Sequence, residues 1–454
     1  MDGQRQKILL AAYLEVPGLE HACSVVMHTV RTLSRFFDVD VLTIRTKNQP
    51  HMANMYKARH MRVSVPEDSV EEARDIFSRA VRRQMESEEY AAAHAITPVA
   101  GKAVVEAEKS SPTRIIYHCA VSTMMGSMQS SDTLDAERSE MSAMENSELI
   151  IVNSASAKDY LSTRGMAHKV VHIPPGVNID FFDWEAVETG ATPTVLVAGA
   201  ADNLRDPEFV IEAVGSFSQE FPVILKWIGC IPRERSRALY RIADAAGLKN
   251  AFYIQELENH DFLPIIIASA DVCLVPAAKN DQLRQMGVLP GILLEYLACR
   301  KPVIAARTTG VEEVVSDGTA AALYNCGDRD SLKKALKFVL RNERQRSRMS
   351  RKGYKIVRES FSAFAFRRRI LAAYRGMDEF SEALRPMGAA LMPDADPPSV
   401  RYRPQGPSGV APSQRPLTSG PSGRLPRTDG QNLEINHGTS TGKKKPPPPF
   451  NGRR

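Results

Sequence analysis

Short apolar runs rich in β-branched residues alternate with helical stretches along most of this chain, and the alternation stops once and restarts. That rhythm is the mark of parallel α/β sheets, because each parallel strand needs a crossover to return to the same edge. In the first half the predicted strands are 7–13, 39–45, 114–121, 149–154 and 169–174. Between the first two, Ala22, Val25, Val26, Val30, Leu33 and Phe37 recur at helical spacing and predict a helix with one apolar stripe against the sheet. After a break the predicted strands are 194–199, 223–229, 251–257, 271–277, 302–306 and 321–325. The expected fold class is therefore α/β, with two tandem Rossmann-like, doubly wound domains facing a cleft. Ligands of such sheets bind outside the strand carboxyl ends.

The break, 181–193, is marked by glycine, proline and polar residues and reads as an interdomain linker between a first domain, 1–180, and a second, 194–360. A C-terminal helix is expected over 361–384. Residues 385–454 hold 14 of the 29 prolines and 9 of the 27 glycines, too little apolar material to offset chain entropy, so this tail reads as disordered. It also carries 11 Lys and Arg against 4 Asp and Glu. The whole-chain charge of +6 is thus a property of the tail, and residues 1–384 sum to −1. A body so balanced argues against nucleic acid as the partner, since phosphate affinity needs clustered cations. The run KKKPPPPFNGRR at the end suits an anionic membrane surface or a proline-reading domain.

No run of 18 apolar residues occurs, and the N-terminus turns acidic too early for a secretory signal. The six cysteines are scattered singly, which fits neither a disulfide frame nor a zinc site. A cytoplasmic protein is the expectation. The acidic pair Asp38 and Asp40 opens the second strand and reads as a surface strand start rather than a metal site.

The stretch 287–318 carries the best candidate chemistry. Pro290 and Gly291 precede a helical run whose unpaired first N–H groups attract phosphate. Glu295 lies one turn in, placed to accept hydrogen bonds from vicinal hydroxyls.

The same stretch resembles the nucleotide-sugar signature of retaining glycosyltransferases of the GT-B fold, family 4 type. The residues that carry the resemblance are Glu295-Tyr296-Leu297-Ala298-Cys299-Arg300-Lys301-Pro302-Val303, then Gly310 with Glu313, then Asp317-Gly318. VLVAG, KWIG, ASADVCLVP and, near the middle, VNS and KVVHIPPGVNIDFF follow in the family's order, and the likeness spans about residues 7–376.

The resemblance implies a nucleoside diphosphate sugar as donor, held by Arg205, Glu295, Gly199, Pro290, Gly291 and Gly18, with Glu295 on the ribose and Arg205 on the diphosphate. It implies His118 in the cleft near the acceptor as the catalytic candidate, His94 as a weaker one, retention of configuration, neither metal nor cofactor, and a C-terminal helix, 361–384, that crosses back to the first domain. The acceptor, a glycan, lipid or small molecule, is left open.

Two departures stand out: Gly287 occupies the place of a sugar-contacting Glu, and Ala200 that of a pyrophosphate-contacting Arg. Lys279 and Arg284 stand nearby as replacement charge. A non-catalytic GT-B scaffold binding a glycan or protein, and a sugar-nucleotide epimerase, are the rival readings. The arginine-rich stretch 347–369 predicts a packed amphipathic helix pair whose basic face suits peripheral contact with an anionic membrane.

Overall fold

The computed structural model describes residues 5–16, 21–45, 57–108, 113–120, 131–184, 190–202, 204–229, 231–257, 260–279, 287, 289–377, 380 and 384. The tail 385–454, Gly18 and Arg284 lie outside the described residues.

Two parallel sheets form the core. The first contains β1 (Lys7–Glu15), β2 (Asp38–Arg45), β3 (Arg59–Ser64), β4 (Ala92–Ala95), β5 (Arg114–Cys119), β6 (Leu149–Val152) and β7 (Val170–His172), in the order β3-β2-β1-β4-β5-β6-β7. Helices α1 (His21–Leu33), α2 (Val70–Ser87), α3 (Pro98–Glu108), α4 (Ser131–Glu145) and α5 (Ala155–Leu161) connect its strands. After a short helix, α6 (Ile179–Phe182), the second sheet contains β8 (Thr194–Ala198), β9 (Ile224–Ile228), β10 (Phe252–Gln255), β11 (Val272–Val275), β12 (Val303–Ala306) and β13 (Ala321–Tyr324), in the order β10-β9-β8-β11-β12-β13. Its helices are α7 (Pro207–Ser218), α8 (Arg233–Ala245), α9 (Leu263–Ala268), α10 (Gly291–Ala298), α11 (Thr309–Glu312), α12 (Arg329–Leu340), α13 (Glu343–Ile356) and α14 (Ala363–Arg375). Strand order reverses between β1 and β4 and between β8 and β11, so each sheet has a switch point where a crevice opens at the carboxyl ends.

The predicted stripe on α1 is buried in full, Ala22 through Phe37. Asp40 departs from expectation: it is buried on β2, takes a bidentate pair from Arg59 at 2.9 and 2.5 Å, and accepts the Tyr90 hydroxyl at 2.6 Å. It closes the edge of the sheet, because β3, whose polar sequence RHMRVS hides it from periodicity, brings Arg59 alongside.

The chain crosses between the sheets twice, and the crossings lie side by side. Val177 N–H donates to Phe361 O and Ala363 N–H to Val177 O, each at 2.8 Å. Ser362 is extended and caps α14, which ends the basic helix α13 and its π-type last turn (Val357–Phe361) and sends the chain back. Phe366, Ile370, Leu371 and Tyr374 of α14 are buried among Ile8, Leu10, Val26 and Phe37 of the first half. Fully burying one such side chain contributes about 1.5–3 kcal/mol, so this helix anchors the two halves to each other.

Candidate functional site

At the switch point of the second sheet, β8 ends in Gly199, whose φ of +123° lies in a region side chains rarely adopt. Its carbonyl accepts the Trp227 indole N–H at 3.0 Å, and its N–H donates to Ile228 O. The Arg205 guanidinium is laid against its Cα: a Cβ on Gly199 would sit 2.9 Å from Arg205 Nε. Glycine is therefore required twice, for conformation and for space.

Arg205 is held by its own turn. Its N–H donates to Asp202 O, its guanidinium pairs with the Asp202 carboxylate at 2.8 Å, and Ala278 N–H ties the neighbouring Leu204 O to the end of β11. About a third of the Arg205 side chain remains exposed.

Helix α10 approaches the same strand end. Pro290 is its extended N-cap, Gly291 its buried first residue, and no side chain caps its first N–H groups. Tyr296 fixes the helix: its buried hydroxyl accepts the N–H of Ala198, next to Gly199, at 2.7 Å. Burial pushes the Tyr296 phenol well up, with Glu295 and Arg205 acting on it in opposite senses. Arg205 and Tyr296 of α10 thus meet at the carboxyl end of β8, and Glu295, the residue before Tyr296, is near enough to act on its phenol. Tyr296, the residue that builds this locus, has a signal in the sequence only as the partner of Glu295 in the motif.

Gly287 has φ +64°, and a Cβ on it would stand 2.6 Å from both Cβ and Oγ of Ser156 in the first half. A glutamate does not fit there in this arrangement, which gives the departure from the family pattern a physical cause. Lys279 lays its aliphatic stem on Gly327 at the end of β13. Asp317 and Gly318 form a tight turn: Asp317 accepts Leu323 N–H and pairs with Arg307, and Gly318 N–H donates to Ala321 O.

His118 sits in a different setting from the cleft-facing one that the resemblance implies. It is 0% exposed, stacked on Phe366 of α14 with rings 6.4 Å apart, and bonded through Nε2 to Asn153 Oδ1 at 3.1 Å. His94 lies beside it, also fully buried, with Nδ1 on the Tyr374 hydroxyl at 2.8 Å. Because α14 returns to cover the ends of β4 and β5, both histidines are enclosed beneath it; periodicity carries no sign of that cover.

Two domain models match the chain in succession: Glycosyltransferase Family 4 over residues 24–181 and Glycosyl transferases group 1 over residues 178–356. The fold is that of sucrose-phosphate synthase from Thermosynechococcus elongatus, with TM-score 0.70 and 19% identity over 82% of this chain and 99% of that one. It is also that of the Anabaena protein HepE in complex with UDP-glucose, with TM-score 0.65 and 15% identity over 82% and 100%. The fold is thus GT-B, and each half matches a domain of a glycosyltransferase family.

Among curated proteins it is similar to an MMP α-(1→4)-mannosyltransferase of Mycolicibacterium hassiacum, 26% identical over 50% of this chain and 53% of that one. It is also similar to a GDP-mannose-dependent phosphatidylinositol monomannoside mannosyltransferase of Mycolicibacterium smegmatis, 25% identical over 42% and 52%. The match spans about half the length of these relatives.

Proposed function

We propose that this protein transfers a sugar from a nucleoside diphosphate sugar, held at the β8–α10 locus, to an acceptor bound by the first half. The observation that carries this is the placement of the Arg205 guanidinium over Gly199, on the strand end to which Tyr296 ties α10. A diphosphate there meets a cation and uncapped N–H groups, the two features that favour an anion at a helix start. Glu295 accepts the ribose hydroxyls.

As the glycosidic bond breaks, charge develops on the leaving diphosphate, and Arg205 with the α10 N-terminus stabilises it without a protein nucleophile or a metal. The resemblance supports retention of configuration. His118 is assigned no contact with substrate, being enclosed under α14.

The mannosyltransferase relatives support a mannose donor, and the UDP-glucose complex of HepE keeps a glucosyl donor in the comparison. The test is calorimetric binding and turnover with UDP-, GDP- and ADP-sugars. One of them binds below millimolar concentration, and Glu295→Ala weakens it about 10- to 100-fold, the worth of a charge-assisted bond. No binding by any of them, with no effect of Glu295→Ala, sinks the reading.

Among the described residues no helix is long and apolar enough to cross a membrane. Peripheral contact with an anionic surface is supported by α13, which exposes Arg344, Arg348, Arg351, Lys352 and Lys355 along one side. Each cation near such a surface is worth about 1 kcal/mol.

A further inference from the structure

A second locus lies where the two halves and α14 meet. A cavity of about 260 Å³ is lined by Ala155 and His172 of the first half, Leu289 and Glu313 of the second, and Arg369 of α14. Its two full charges are unequal in their surroundings. The Glu313 carboxylate is satisfied by three donors: Ala155 N–H at 2.8 Å, Ser156 N–H at 3.1 Å and the Ser156 hydroxyl at 2.7 Å. Arg369, half-buried, has one bond, from Nη1 to Ser360 O at 2.6 Å, and no carboxylate within ion-pair distance among the described residues. Its neighbour in charge is another cation, Arg368.

His172 adds a polar atom without a use. Its Nε2 is buried and finds no hydrogen-bond partner among the described residues. A guanidinium lacking its counter-ion, beside an unused imidazole nitrogen and a carboxylate whose oxygens are already taken by three donors, is an incomplete set: the missing member is an anion. A half-buried cation gains from a counter-ion, and a bidentate oxyanion is the partner a guanidinium takes best.

Leu289, on the cavity wall, directly precedes the Pro290 cap of α10. The volume suits roughly a monosaccharide phosphate, at the small end of ligand pockets.

We infer that this cavity is an anion subsite in which Arg369 and His172 hold the phosphate of a phosphorylated acceptor. The inference rests on the transferase reading for the word acceptor, and on the cavity alone for the anion.

The experiment measures calorimetric binding of glucose 6-phosphate, glucose and inorganic phosphate to the full chain, wild type and Arg369→Gln, with Arg369→Lys as second variant and melting temperature as the check on folding. Wild type binds glucose 6-phosphate at least tenfold more tightly than either glucose or inorganic phosphate. Arg369→Gln loses about 10- to 100-fold of that affinity with its melting temperature kept, and Arg369→Lys, which retains charge without the fork, loses less.

Equal binding of glucose and glucose 6-phosphate, or equal binding by folded wild type and Arg369→Gln, overturns the subsite. Inorganic phosphate binding as tightly as the sugar phosphate overturns its assignment to an acceptor. If sugar nucleotides bind and glucose 6-phosphate does not, only this inference fails. If glucose 6-phosphate binds through Arg369 while no sugar nucleotide binds or reacts, it is the transferase reading that fails.

Discussion

Glu313, in the second half, accepts both backbone N–H groups at the start of α5 and the Ser156 hydroxyl in the first half, so one carboxylate clasps the two halves together. The contact is part-buried. Charge-assisted bonds of this kind are the strong ones, and three on one side chain favour one relative placement of the halves. Glu313→Ala is expected to open that placement, raising the radius of gyration in solution scattering and lowering turnover about 10- to 100-fold. Affinity for the donor nucleotide, proposed to be held within the second half, changes little. Unchanged scattering and unchanged turnover would show that the clasp is incidental.

Gly287 lies under that clasp. Reinstating the carboxylate of the family pattern, Gly287→Glu, forces a Cβ to within 2.6 Å of Ser156 at a φ of +64°. The left-handed conformation alone costs a side chain about 1–2 kcal/mol. The substitution therefore lowers the melting temperature and does not raise activity. Pairing it with Ser156→Gly, which removes the struck atoms, recovers part of the loss, since neighbouring sites couple. A gain of activity in the single variant would refute the steric account.

Gly199→Ala is predicted to act on the proposed donor locus through Arg205, in addition to the stability it loses to the φ of +123°. The new methyl lies 2.9 Å from Arg205 Nε, and the guanidinium is the softer neighbour, so it moves. Nucleotide-sugar affinity falls by an amount similar to that for Arg205→Ala, about tenfold or more for a lost charge-assisted contact. The two changes combined fall short of additive because they remove one interaction. Calorimetric binding of the preferred donor to the three variants checks this.

Much of this fold is legible in the sequence because parallel strands buried on both faces write themselves as apolar runs: all six strands of the second sheet lie within predicted runs. β3 was not legible, since its residues are polar and half exposed at the sheet edge. The proposed donor locus rests on Gly199, Arg205 and Glu295, which motif order singles out in the sequence. The clasp could not, because Ser156 and Glu313 are 157 residues apart and neither position differs in type from a helix cap or a surface acid. His118 lies away from the cleft for a related reason: the resemblance implies that the last helix crosses back to the first half, but which strand ends α14 covers is set by tertiary contacts alone.

That docking has a pH signature. His94 is fully buried with its pKa pushed well below the ordinary 6.5, by burial first and by His118 second. The Tyr374 phenol, pushed well up by burial, keeps its proton and shares a hydrogen bond with His94 Nδ1. His60 in the first sheet is lowered to about 4 by burial and by Arg62. Below about pH 6.5 the unfolded chain protonates these histidines while the folded chain does not, so the unfolded state binds more protons and stability falls as the pH falls. For His60 the loss runs from about 6.5 down to about 4 and then stops. The melting temperature is expected to drop between pH 7.5 and pH 5.5, with a smaller drop in His94→Gln, whose side chain takes up no proton. A melting temperature that is flat across this range, or a drop in His94→Gln equal to that of the unmodified chain, would detach the histidines from the docking of α14.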